Sequence, residues 1–322
     1  MLGEETRLKI FLYAAILLTL LGYTGRYLGL EPLHSQFFAF AAWAYVLFAD
    51  NLAYRFSGSS PAVSRPAEFL ALSLWSLALC CLAELLNLRL GAWHYFDEPA
   101  SLGPRWAGLA AGWAALLPSL FVTAELLGAF GLFRGLKSAP LRVTPALLRN
   151  LRAAGALLLL LSLAAPDHFR LLAAAAFLPL AETLTYRLGL PSLLRELEGG
   201  LPAKTLRLAL SGLACGLLWS AWNGAAGAQR ALSFSLPGPA PLGLPLPLLA
   251  VLPLLSLQAY SLCSLASALR GGRTWEEHSW PMPSGALSFL PRLAAWLLLA
   301  AASYFAFRSV DAHTVKVFVG WV

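Results

Sequence analysis

Stretches of about twenty apolar residues recur along this chain, separated by loops too short to fold on their own. Twenty helical residues are what is needed to cross the ~30 Å hydrocarbon layer of a bilayer, where every backbone amide must find its partner within the segment. Candidate spans fall near residues 8–28, 35–55, 67–88, 106–131, 146–165, 169–187, 205–225, 244–269 and 286–307. With 59% hydrophobic residues over 322 positions and a mean hydropathy of +0.68, the chain is too apolar for a soluble domain of that size. The expected fold is therefore an all-α polytopic membrane protein of about nine transmembrane helices. The opening MLGEETRLK is mixed in charge and leads into a full span without a small-residue cleavage site, so no removable signal peptide is expected.

The net charge of +7 would suit a nucleic-acid partner if the basic residues formed one patch. They lie instead in short loops between apolar runs, which speaks for a membrane-lipid setting and no nucleic acid. Arg55 and Arg65, Arg134 to Arg152, Arg187 to Arg207, and Arg270 to Arg292 all follow even-numbered spans. The loops after odd-numbered spans hold only Arg26, Arg89, Arg105, Arg170 and Arg230. The positive-inside rule then puts the N-terminus and the even loops in the cytoplasm, and the W-H-Y-F-D-E-P loop and the C-terminus outside. Cys80, Cys81, Cys215 and Cys263 all sit in apolar runs without a C-x-x-C pair, and read as small core residues. Pro237 to Pro247 is dense in proline and glycine, so the eighth span is expected to open with a kinked or re-entrant piece.

Two segments repeat. The second span ends ADNLAYR (Ala49 to Arg55) and the sixth ends AETLTYR (Ala181 to Arg187): an acid, a leucine two residues on, a tyrosine at i+4, then arginine. Each is followed, after a similar interval, by a helix ending in asparagine, Asn87 or Asn223, and then by a Leu-Pro helix opening at Leu117 or Leu252. Four spans per unit is an even number, so the expected arrangement is two parallel four-helix repeats, residues 1–135 and 140–272, related by an axis along the membrane normal. Residues 273–322 supply a cytoplasmic loop, a ninth helix and an outward C-terminal tail.

The segments DNLAYRFSGSS (from Asp50), AELLNLRLGAWHYF (from Ala83) and LPSLFVTAELL (from Leu117) resemble an uncharacterised family of bacterial multi-span inner-membrane proteins with an internal duplication. Those proteins carry an F-E-x-x-N-like helix end with a W-x-Y loop, and later W-E-F-W-N and F-E-M-P. The resemblance implies the bacterial inner (cytoplasmic) membrane and carries no activity. Here Ser220 stands at the W-E-F-W-N acid and Gly243 at the F-E-M-P acid. A fainter similarity is to lycopene-cyclase membrane domains, through Gly91, Trp93, Tyr95, Leu117 and Pro118, although the following acid comes only at Glu125.

Among residues able to carry chemistry, Glu84 and Asn87 lie three apart on one helix face, and Glu125 lies within the fourth span. Carboxyl groups at such depth are costly unless paired or facing a cavity, which makes them candidates for acid catalysis, with packing hydrogen bonds as the plainer reading. Trp93, His94 and Tyr95 in the outer loop, Asp50, Tyr54 and Arg55, Glu182, Tyr186 and Arg187, and Asn223 are candidates for substrate contact. Interfacial anchoring accounts for the Tyr and Arg members without any ligand. His94 with Asp97 and Glu98 has cation-binding side chains but no second cluster at a metal spacing, so no metal is expected. Trp275, Glu276, Glu277, His278 and Trp280 read as a solvated loop. Three functions fit: an enzyme acting on a lipid-like or isoprenoid substrate, a transporter of a small or lipidic solute, and a non-catalytic subunit of a larger membrane complex. The sequence does not specify a cofactor, and the identity of any is unknown.

Overall fold

In the computed structural model, residues 3–234, 236, 239, 244–276 and 289–316 are described. The chain runs α1 (Glu4–Leu28), α2 (Phe37–Ser57), α3 (Pro61–Ser64), α4 (Pro66–Leu90), β1 (Trp93–Phe96), α5 (Leu102–Ala114) and α6 (Leu116–Ala129). It continues with α7 (Pro145–Ala164), α8 (Pro166–Phe169), α9 (Ala173–Arg187), α10 (Leu193–Glu198), α11 (Ala203–Ala225) and β2 (Gln229–Leu232). Last come α12 (Leu246–Ser267), α13 (Phe289–Ser309) and β3 (Val315–Lys316).

Seven helices among the described residues are long and apolar enough to cross a membrane: α1, α2, α4, α5 with α6, α7, α12 and α13. The molecule is thus an all-α polytopic membrane protein in architecture. The expected sixth and seventh spans correspond to α9 and α11, which are outside that set. α9 has 15 residues, short of the ~20 that a perpendicular crossing needs, and α11, long enough at 23 residues, is made less apolar by Ser211, Gly212, Gly216, Ser220 and Asn223. Of the proline-rich stretch before α12, residues 237, 238 and 240–243 lie outside those described.

Short links make α1 and α2, and α7 and α9, antiparallel neighbours; α2 also packs along α6, and α9 along α12. The two sets do not stand apart. Leu72 and Trp75 of α4, Leu120 and Phe121 of α6, Leu208 and Cys215 of α11, and Tyr260 and Cys263 of α12 form one buried core. Close approach within it depends on missing side chains. A Cβ on Gly212 of α11 would stand 2.6 Å from the Leu252 carbonyl of α12, and one on Gly216 would overlap the Leu252 side chain. The break between α5 and α6 has a covalent cause in Pro118, which lacks an N–H and crowds the preceding turn. Ser76 of α4 fills the gap: its hydroxyl donates to the Trp113 carbonyl and accepts from the Leu117 N–H at 3.0 Å.

The W-H-Y-F stretch, read above as loop, is a strand. β1 lies between β2, antiparallel, and β3, parallel, with Trp93 opposite Leu232 and Tyr95 opposite both Arg230 and Val315. This small sheet closes one end of the bundle, here the sheet end. The opposite, connector end carries α3, α10 and the 130–144 link.

Candidate functional site

Glu84 sits one and a half turns before the end of α4 and is 3% exposed. Its carboxylate accepts from the indole Nε1 of Trp93 at 3.0 and 3.1 Å, and from the Tyr95 hydroxyl at 2.5 Å. Both donors come from β1, which returns over the helix end because Gly91 adopts φ +54°. Asn87 shapes that return. Its Oδ1 accepts from the Ala92 and Trp93 backbone N–H groups, and its Nδ2 donates to the Trp93 carbonyl. Arg230 of β2 completes the group. Its guanidinium lies 5.7 Å from the centre of the Trp93 ring and interacts electrostatically with Glu84 and Tyr95. Burial, and then the nearby carboxylate, push the Tyr95 phenol well above its ordinary range. A buried acid, a phenol, an indole and a cation from the other half of the chain therefore meet at the sheet end. Such a group can hold and exchange a proton, or present Arg230 to an anion.

Asn223 repeats the work of Asn87 in the second half, with Oδ1 accepting from Arg230 N at 2.8 Å and Nδ2 donating to Arg230 O at 2.9 Å. Arg230 entered the sequence reading only as a loop charge. The signal that could have found it was the repeat itself, since the residue following an Asn87-like turn is set against its partner strand.

Asp50 and Glu182 serve a different purpose. Asp50, fully buried, accepts from Ser60 Oγ at 2.8 Å, Ala62 N at 2.9 Å and Val63 N at 3.2 Å, and so caps α3 from a neighbouring helix. Glu182 accepts from Ser192 Oγ at 2.8 Å and Leu194 N at 3.0 Å at the start of α10, and from Ser261 Oγ at 2.6 Å. The hydroxyl lies ten residues and the backbone donor twelve residues beyond the acid in both cases. Tyr54 and Tyr186 reach out to Glu4 and Glu198, and Arg55 and Arg187 are exposed. These six residues lie at the connector end, away from Glu84.

Glu125 also belongs to that end, where Arg65 lies 3.8 Å from its carboxylate. Arg65 opens α4 and Glu84 comes nineteen residues later, about 28 Å at 1.5 Å per residue, so Glu84 and Glu125 cannot serve one reacting atom. His94 contacts Ser233 through Nδ1, and Asp97 is exposed at a positive φ of 55°. No group of three or more His, Cys, Asp or Glu side chains placed to hold a metal ion occurs among the described residues.

Trp275 and Glu276 correct the sequence reading. Trp275 is 8% exposed and stacks on Phe121 with centroids 4.7 Å apart, and Glu276 is bound to Lys204 at 2.9 Å, so this loop is packed and not solvated. Alternation of Trp with charged residues gave a loop signal, whereas its burial depends on a groove between two distant helices. Glu277, His278 and Trp280 lie outside the described residues. Compared with protein-family models, curated proteins and solved structures, the chain finds no match in any of the three.

Proposed function

We propose that the protein is a bacterial inner-membrane protein of nine spans that acts on a lipid-like or isoprenoid substrate by acid catalysis at Glu84. Two parallel four-helix repeats, residues 1–135 and 140–272, are followed by a ninth helix and tail in 273–322, with the N-terminus cytoplasmic. The repeats are supported by the matched acid caps of α3 and α10, by the matched turns of Asn87 and Asn223, and by the antiparallel pairing of β1 with β2, as a two-fold axis between them requires.

The observation that carries the catalytic reading is the pairing of Glu84 with Tyr95, Trp93 and the second half's Arg230 at a helix end. An ionisable group in an apolar span is expensive, and is retained where it handles charge or protons. Glu84 supplies the proton, Tyr95 and Trp93 orient its oxygens, and Arg230 stabilises the carboxylate left behind. Asn87 positions the strand that carries both aromatics. Glu125, paired with Arg65, is assigned to holding the connector end.

Glu84→Gln keeps the volume and the hydrogen-bond acceptor while removing the acid. Mass spectrometry of lipids and pigments co-purified with the parent and with Glu84→Gln tests the reading. A lipidic species enriched with the parent, and converted by it but not by the variant, supports it; equal conversion by both overturns it. The transporter reading draws on one specific feature, the polar junction between the halves in which Tyr45, Thr123 and Cys215 meet: Tyr45 to Thr123 is 2.7 Å and Thr123 to Cys215 3.3 Å.

A further inference from the structure

At the connector end, the chain leaving α12 turns back on itself at Gly271 and Gly272, both at positive φ (69° and 83°), where residues with a Cβ are strained. Residues 273–276 then enter the groove between the two halves. Trp275 lies flat on Phe121 of α6, with rings only 16° from parallel. Glu276 lies 2.9 Å from Lys204 of α11, which also holds Glu196 at 2.7 Å, and the buried Tyr260 hydroxyl donates to Glu276 at 3.4 Å. Arg270, just before the turn, pairs with Glu68 of α4. The segment is thus tied to α4 and α6 on one side and to α11 and α12 on the other.

Beneath it is a crevice lined by Glu68, Trp75, Cys263, Ser267 and Trp275, with space for about one water molecule. Cys263, 6% exposed, is one of the residues that line it. The segment is held by the Trp275 stack, by the Glu276 cluster with Lys204 and Tyr260, by the Arg270–Glu68 pair, and by the two-glycine turn, whose N–H groups bond back to Ala268 and Ser267. A short non-helical segment held mainly by side chains of neighbouring helices opens locally at lower cost than the bundle unfolds.

We infer that residues 271–276 are a strap that closes the groove between the halves at the connector end, latched by Glu276 on Lys204 and hinged at Gly271–Gly272. This goes beyond the Glu84 reading and does not depend on it. The strap lies across the shared core, so its release uncovers α6 and α12 without separating any pair of long helices.

Cys263 gives an internal reporter. The solubilised full-length protein is treated with N-ethylmaleimide, and modification at each of the four cysteines is followed by mass spectrometry. Lys204→Gln removes the cation that holds Glu276 and leaves the Glu276 carboxylate itself in place. It should raise the Cys263 rate about tenfold, with Cys80, Cys81 and Cys215 unchanged. Trp275→Ala should raise it further. If the Trp275→Ala bundle loosens as a whole, all four cysteines speed up together and Lys204→Gln alone decides. Unchanged Cys263 reactivity in Lys204→Gln overturns the latch, and a rise shared equally by all four cysteines in that variant does so too.

Discussion

Arg230 stands directly across the β1–β2 ladder from Tyr95, and through it the cation of the second half meets the carboxylate of the first. Neither half holds this polar group alone. Glu84 and Arg230 should therefore be energetically coupled. In a double-mutant cycle of Glu84→Gln and Arg230→Gln, read as thermal midpoints of the solubilised protein, the coupling should be about 1 kcal/mol or more. Additive effects would mean that the guanidinium is held by Trp93 alone.

The acid caps make a matched pair of predictions. Asp50→Ala leaves the Ser60 hydroxyl and the Ala62 and Val63 N–H groups without their acceptor, and Glu182→Ala does the same to Ser192, Leu194 and Ser261. Each should destabilise by about 2–4 kcal/mol, while Ser60→Ala and Ser192→Ala should each cost about 1 kcal/mol. Thermal unfolding of the four variants checks this. A strong effect in one half and none in the other would contradict equivalent roles.

Much of this was legible from composition and period. Apolar runs located the helices because burial in lipid leaves the sequence few alternatives. The match of ADNLAYR to AETLTYR marked two acids that prove to cap short helices in the same way. What escaped was long-range. The four residues of β1 are too few for alternation to register, and their partners lie in β2 and β3 far along the chain. The strand, the Arg230 contact and the burial of Trp275 all arise from packing between segments, and no local pattern encodes that.

Glu98 predicts a pH dependence. Burial, with Asp311 nearby adding to it and Arg105 opposing it, pushes its carboxyl up to about 7 from an ordinary 4.5. A raised acid pKa means that the folded state holds the proton longer than the unfolded chain. Stability should therefore fall as pH rises from about 4.5 to about 7, and level off above that. Thermal midpoints of the parent and Glu98→Gln, measured between pH 4 and 8, should converge at the acid end, with the variant the more stable at pH 8. A parent midpoint that rises over this range relative to the variant would reverse the assignment.

Orientation is open to direct labelling. Asp97 lies at the sheet end and Lys137 in the link at the opposite end, both exposed. Single cysteines at these positions in intact cells should differ, with an impermeant thiol reagent reaching position 97 and not position 137. The opposite pattern would invert the molecule.

The sheet also sets an order of events during synthesis. β1 leaves the ribosome with the first half, but β2 and β3 follow only after further spans have been made. At about 5–20 residues per second, β1 waits on the order of ten seconds for its first neighbour. During that interval its backbone groups have no ladder to join, and Glu84 has its aromatic donors but no counter-charge. A chain cut short before Gln229 would retain its early helices and an unfinished end, open to pairing with the wrong strand. Completion of the sheet is therefore a late step that distinguishes a finished molecule from a merely inserted one.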